Sequence, residues 1–195
     1  MVIRVNTDYQ HKDPRVMAML FGDTRMAVVW LVVRVYVGWQ WLESGRQKMT
    51  DPGWMDGGRA LRASWEGAVG RSGGGVAPID GWYREAVRFM LDHQWYGWCG
   101  KVIAVSEVVV GLALILGLLT GVAAFIGALL SFNVLLAGAT GASPLVFVAA
   151  LGLIAAWKVA GYVGLDAFVL PKLGAPWRSG LSWKRIRPGA RPRAA

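Results

Sequence analysis

Apolar positions along the chain gather in four long runs, and their length sets the first reading. The first run, 26–42, reads MAVVWLVVRVYVGWQWL and is interrupted by Arg34. The second, 101–119, reads KVIAVSEVVVGLALILGLL and contains Glu107. Thr120-Gly121 separates it from the third run, 122–137, and GATGAS separates that from the fourth, 144–164, which opens on Pro144. Apolar runs of about 20 residues match the hydrocarbon thickness of a bilayer. A proline in the first turn of a helix has no hydrogen bond to lose. The two short breaks suit tight helical hairpins. The pattern predicts an all-α, integral membrane four-helix bundle.

Residues 43–100, between the first and second runs, are polar and glycine-rich. Asp51-Pro52 reads as an N-cap followed by a first-turn proline, and Asp80 as a second cap. From Trp82 to Asp92 the polar residues Arg84, Glu85, Arg88 and Asp92 share one helical face, with Trp82, Ala86, Phe89 and Met90 opposite. That spacing predicts an amphipathic helix whose apolar side is available to the membrane surface or the mouth of the bundle. Seven of the eleven tryptophans (Trp39, Trp41, Trp54, Trp65, Trp82, Trp95 and Trp98) lie in or beside this region. They read as an interfacial aromatic belt, or as a lid over a cavity with Gly73-Gly74-Gly75 as its flexible break.

Composition agrees with the membrane reading: 55% of the 195 residues are hydrophobic and only 17% charged. The net charge of +9 is concentrated at the C-terminus, where Lys172, Arg178, Lys184, Arg185, Arg187, Arg191 and Arg193 stand without an acidic neighbour. Beside a membrane segment such a tail marks the cytoplasmic face rather than a nucleic-acid site. Residues 1–25 form a second basic arm, whereas 43–100 carries seven basic and seven acidic residues. Both termini are therefore expected on the cytoplasmic side of the inner (plasma) membrane, with the 43–100 loop outside. The expected division is an arm at 1–25, a membrane domain at 26–171 and a tail at 172–195. Residues 1–25 lack a secretory signal. Cys99 is the one cysteine, so no intrachain disulfide forms.

Ionisable residues inside spans are costly and mark functional positions. At 1.5 Å per residue, Arg34 lies about 12 Å into its span from the inner side and Glu107 about 9 Å from the outer side. Asn133 reaches a similar outer level. A tilted bundle lets Arg34 and Glu107 meet, either as an ion pair that fixes helix register or as a polar pocket for an oxygen-bearing head group or a proton relay. Lys158 is expected to snorkel to the inner interface, and Trp157 to serve packing. Glycines at Gly38, Gly111, Gly117, Gly121, Gly127, Gly152 and Gly161 permit close approach of helices. No haem, flavin, nicotinamide or metal motif is present. His11 and His93 stand far apart, and no residue set reads as a nucleophile with its base.

Several segments carry a family resemblance. RVYVGWQWLESGRQKM contains Arg34-x-x-x-Gly38 and Gly45-x-x-Lys48; EVVVGLALILGLLTG follows in the second run, Asn133 in the third, and WKVAGYVGLDAFVLP closes the fourth. Over roughly 26–171 the chain resembles the DoxX/DoxD family of small four-helix membrane proteins. The resemblance implies a membrane subunit linked to quinones. DoxD-type members belong to a thiosulfate:quinone oxidoreductase, which couples thiosulfate oxidation to tetrathionate with quinone reduction. Other relatives are membrane partners of oxidant-defence or respiratory enzymes. On this footing Arg34, Glu107, Trp39 and Asn133 are the candidate residues of a quinone pocket, with Arg34 polarising a carbonyl. Arg46, Lys48, Arg59 and Arg62 are the candidates for holding a substrate anion. The expected partners are the lipid bilayer and an oxidoreductase subunit or further copies of the chain. The alternatives are a non-catalytic anchor or assembly subunit and, third, a transporter component.

Overall fold

The structure, a computed structural model, describes residues 15–70, 81–137 and 143–174. All regular elements among these residues are helical: α1 (Arg15–Gly22), α2 (Ala27–Thr50), α3 (Pro52–Met55), α4 (Arg59–Gly70), α5 (Gly81–Asp92), α6 (Tyr96–Leu116), α7 (Thr120–Leu136), α8 (Pro144–Ala155), α9 (Trp157–Ala160) and α10 (Asp166–Lys172). A 3-10 turn, Thr24–Met26, joins α1 to α2. The basic tail beyond Lys172, the Gly73–Gly75 break and the Asp80 cap lie outside the described residues.

Helices α2, α6, α7 and α8 pack each against the next, and α8 closes back on α2. Their shared core holds Val37, Trp41, Val110, Leu114, Ala124 and Leu153. α2 and α6 run antiparallel at very short range because small residues meet. A methyl added at Gly38 would lie 2.9 Å from the Gly111 carbonyl oxygen, and one at Gly111 would lie 2.5 Å from the Leu42 nitrogen. Glycine at these positions lets backbones approach closely where lipid gives no hydrophobic push between helices. The outward faces stay apolar, as at Val28, Val32, Val109, Phe125, Leu129 and Val148.

Helix α6 is the one described helix both long and apolar enough to cross a membrane by length and composition; α7 and α8 are shorter apolar helices. Three boundaries differ from the sequence expectation. The first helix continues past Leu42 to Thr50, because nothing breaks it before Asp51-Pro52, where the Asp51 carboxylate accepts the Gly53 N–H at 2.7 Å. The hairpin between α6 and α7 turns at Gly117–Leu119 rather than at Thr120-Gly121. Gly117 adopts φ 67°, Leu118 N–H donates to Ala113 O and Gly117 N–H to Leu114 O. This is the glycine-dependent helix stop that a left-handed residue makes inexpensive. The fourth run is broken: α8 stops at Ala155, Ala156 leaves the helical conformation, and one more turn, α9, follows.

Helices α4 and α5 form a cap at the far end of the bundle. Leu61, Trp65 and Ala68 of α4 pack with Tyr83 and Val87 of α5 over Ala137. A helix is present over Gly81–Asp92, but the side it packs in the cap is Tyr83 and Val87 rather than the expected apolar face, of which Trp82, Ala86 and Phe89 are exposed and Met90 half-buried. In the N-terminal arm the short α1 is held by the Trp30 indole N–H, which donates to Leu20 O at 2.7 Å.

Candidate functional site

Arg34 and Glu107 do not meet. The antiparallel register of α2 and α6 sets Arg34 beside Gly117 and Glu107 beside the Ser44–Lys48 turn. Ten residues of α6 separate the two levels, about 15 Å along the axis. The single Arg34–Glu107 pocket expected from depth alone is replaced by two polar centres at separate levels, one near the middle of α6 on the cap side and one at its C-terminal end.

On the cap side, Glu107 is buried, with 2% exposure. Its carboxylate accepts the Ser44 hydroxyl at 2.9 Å and a short bond from the Lys48 ammonium. Lys48 also donates to Ser44 Oγ at 3.2 Å and lies 4.9 Å from the centroid of the Trp54 ring. One α2 turn therefore supplies both partners, at positions four apart. A buried carboxylate is tolerable because a cation and a hydroxyl compensate it.

At the C-terminal end of α6, Arg34, also 2% exposed, donates from one terminal nitrogen to Ala160 O at 2.6 Å and from the other to Val163 O at 2.7 Å. These are carbonyls at and just beyond the end of α9, so the guanidinium serves as a C-terminal cap. Gly117 and Gly164 leave it room, since a methyl at either would press on its terminal nitrogen. Asp166, 1% exposed, faces the same turn. It accepts the Leu119 and Thr120 backbone N–H groups, the latter at 2.9 Å, and so caps the start of α7. Backbone N–H groups of Leu165 and Asp166 donate to Leu116 O and Gly117 O at 3.2 and 2.8 Å. The segment 160–166 thus ties the ends of α6, α7 and α9 together around one arginine and one aspartate.

Beside this tie lies a cavity of about 280 Å³, lined by Leu119, Thr120, Gly121, Val122, Ile154, Trp157, Asp166 and Leu170. Its lining is apolar except for Thr120 and Asp166. Thr120 Oγ1 is buried and has no hydrogen-bond partner among the described residues. Trp157 forms one wall and packs under Gly121. A buried polar atom without a partner is uncommon in a folded core and calls for a physical account. Sequence reasoning missed Asp166, Thr120 and the cavity-lining role of Trp157. Asp166 was detectable as the only acidic residue after Glu107.

The remaining candidates scatter. Trp39 is 57% exposed on the outer face of α2. Asn133 serves the cap, its side-chain oxygen accepting the Tyr83 hydroxyl at 3.1 Å, and burial pushes the Tyr83 phenol upward so that it remains a donor. Among the basic candidates, Arg46 pairs with Glu43 at 2.6 Å and Arg62 with Glu66 at 2.7 Å, while Lys48 is held by Glu107. Arg59 is exposed at the start of α4. The four do not converge on one anion site.

No curated protein and no solved structure matches the chain. The DoxX family model matches residues 29–140, more than half of the sequence, from the first turn of α2 past the end of α7. DoxX proteins are integral to membranes, which accounts for the apolar outward faces of α2, α6, α7 and α8. By this match the chain belongs to the DoxX family.

Proposed function

We propose that the chain is the membrane subunit of a quinone-linked oxidoreductase, and that the cavity beside Thr120 receives the ring. Helices α2, α6, α7 and the broken α8–α9 unit are read as four crossings of the inner membrane. Both termini then face the cytoplasm and the α3–α5 cap faces outward. The observation that carries the reading is the apolar cavity of about 280 Å³ with an unpartnered buried hydroxyl in its wall. An apolar cavity of about 150 Å³ already accommodates benzene, so a substituted single ring fits the volume. A quinone supplies reversible two-electron, two-proton chemistry when bound. The chain's own residues do the rest: Thr120 offers a hydroxyl to a ring oxygen, Trp157 presents an indole wall, and Asp166 holds the Thr120 backbone in place. Arg34 acts as a positioning residue through the 160–166 turn, since both its terminal nitrogens are engaged by carbonyls.

A second reading has its own support. Arg46, Lys48 and Arg62 are each bonded to a carboxylate of this chain, so three of the four candidates would meet an anion such as thiosulfate only by giving up one of these bonds. This favours a division of labour in which a partner handles the electron donor and the chain is an anchor or assembly subunit. To separate the readings, the full chain is purified in mild detergent and its bound quinone extracted and quantified. The wild type is then compared with Thr120→Val and Glu107→Gln, and each is assayed for thiosulfate-dependent reduction of a soluble quinone analogue. The quinone reading expects near-stoichiometric quinone in wild type and Glu107→Gln, and its loss in Thr120→Val. Absence of quinone from all three, with a co-purifying enzyme whose activity is unchanged by Thr120→Val, selects the anchor.

A further inference from the structure

Helix α5 has two apolar sides, and only one is spent on the cap. Tyr83 and Val87 are buried in it. Trp82, Ala86, Phe89 and His93, spaced by four, three and four, form a separate exposed stripe, with Trp82 63% and Phe89 51% exposed. The stripe turns the corner into α6 without interruption. The Phe89 ring lies 4.1 Å from that of His93 and 5.6 Å, edge to face, from that of Trp95. Trp95 in turn lies 5.8 Å from Trp98. From Trp98 the exposed line continues down α6 as Val102, Val105, Val109, Leu112 and Leu116.

We infer that the Trp82–Phe89–His93–Trp95–Trp98 stripe is a lipid-seating shelf: α5 lies along the bilayer surface, with these rings in the headgroup–glycerol zone of the leaflet where α6 begins. Level, chemistry and charge each support this occupant. The exposed apolar line of α6 runs from Val102 to Leu116, and Lys101 is exposed where that line starts, so the Trp95–Trp98 turn lies at the interface. Indole rings, apolar with one polar N–H edge, belong at that depth. The charged side of α5 holds Arg84 and Arg88 against Glu85 and Asp92, and Arg88 is bonded to Glu85 at 3.3 Å. A helix edge with no net charge fits zwitterionic headgroups rather than an anionic surface, in contrast to polybasic interfacial helices. The shelf holds the cap tangential to the membrane, and it stands whether or not the cavity binds a quinone.

The test uses the full chain in phosphatidylcholine nanodiscs. A nitroxide is attached at position 86, which leaves every aromatic residue intact, or at positions 85 and 88, all in a Cys99→Ala background. Collision rates with oxygen and with a water-soluble nickel chelate are then compared. The expected result is a several-fold oxygen preference at position 86 and a nickel preference at 85 and 88, unchanged when a third of the lipid is replaced by phosphatidylglycerol. Nickel access at 86 equal to that at 85 would overturn the shelf, and so would exclusion of both reagents, which signifies a protein neighbour such as a second copy. A strong dependence on phosphatidylglycerol would overturn the zwitterionic assignment. Label-free tryptophan quenching by lipids brominated near the headgroup is compared between wild type, Trp82→Phe and Trp98→Phe. The fluorescence lost in each variant should be mainly the quenchable part; loss of only unquenched emission counts against the shelf.

Discussion

Replacing Asp166 with asparagine should cost the folded state about 3 kcal/mol, although the side chains have nearly the same shape. Two backbone N–H donors, from Leu119 and Thr120, converge on the Asp166 carboxylate. Asparagine offers one acceptor oxygen, so its amide NH₂ must face the second N–H. A buried donor left without a partner costs about 1–3 kcal/mol, at the upper end here because Thr120 is 0% and Asp166 1% exposed. The residue between the two helices, Leu119, sits at φ 46°, a left-handed conformation that costs a non-glycine residue about 1–2 kcal/mol. The carboxylate compensates that strain. Loss of the negative charge also removes the countercharge facing Arg34. That part is small, because the guanidinium keeps its carbonyl bonds to Ala160 and Val163.

A reversible unfolding titration with dodecyl sulfate in mixed micelles, followed by circular dichroism, measures the change. A loss of about 3 kcal/mol lowers the folding equilibrium constant roughly 150-fold. Asp92→Asn, at an exposed position in α5, is the matched control and should fall within about 0.5 kcal/mol of wild type. If Asp166→Asn behaves like that control, the carboxylate is not holding the α6–α7 turn, and the account of this end of the bundle is wrong.

Gly117→Ala should destabilise by at least about 2 kcal/mol, because φ 67° is left-handed and the added methyl meets the Arg34 guanidinium; an unchanged unfolding midpoint would refute it. On the cap side the order of two variants is diagnostic. Lys48→Met strands a buried Glu107 and should cost about 3–5 kcal/mol, whereas Glu107→Gln leaves a lysine already 20% exposed that can turn to water, costing roughly 1 kcal/mol. The reverse order would show that Glu107 does not depend on Lys48. The Glu43 carboxyl, bonded by Arg46 and then Gln47, is held down to about 2 from an ordinary 4.5. A depressed carboxylate adds stability that is fully present above its unfolded value and lost as pH falls through about 2. Carbon-detected NMR of labelled glutamate in low salt should therefore find it charged at pH 3.5. In 1 M salt, where screening is short-ranged, its midpoint should rise toward the ordinary value, and a midpoint near 4.5 in low salt would refute the bond.

The helical, apolar character of the runs was legible because hydrophobic length is a one-dimensional property, although among the described helices α6 alone is long and apolar enough to cross a membrane; the Asp51-Pro52 stop was legible because cap chemistry is local. The positions of Arg34 and Glu107 relative to one another were not, because depth measured separately from each end says nothing about helix register. A register signal was nonetheless present. Gly38 and Gly45 stand seven apart on the first helix, and Ala104 and Gly111 stand seven apart on the second. Matching small residue to small residue in antiparallel order places Glu107 opposite Leu42, two residues from Ser44, and Arg34 opposite Ile115, two residues from Gly117. Close packing of backbones was the stronger constraint, and attraction between opposite charges about 15 Å apart was too weak to override it.

The same reasoning explains why the charged residues of this membrane domain sit where they do. Each of the two helix ends beside the α6–α7 turn has unpaired backbone groups, and burial within the protein keeps water from them. Arg34 reaches the carbonyls that end α9, and Asp166 reaches the amides that begin α7. Their charges therefore match the partial charges of the helix termini they cap. A residue pair selected only as an ion pair would be in direct contact, and Arg34 and Asp166 form no salt bridge within 4 Å among the described residues. The coupling between them runs through the backbone of 160–166. A double-mutant cycle of Arg34→Gln and Asp166→Asn should accordingly give a coupling energy of about 0.5–3 kcal/mol that is insensitive to salt. A coupling that fades as salt rises would mean that direct attraction, rather than the shared turn, joins the two.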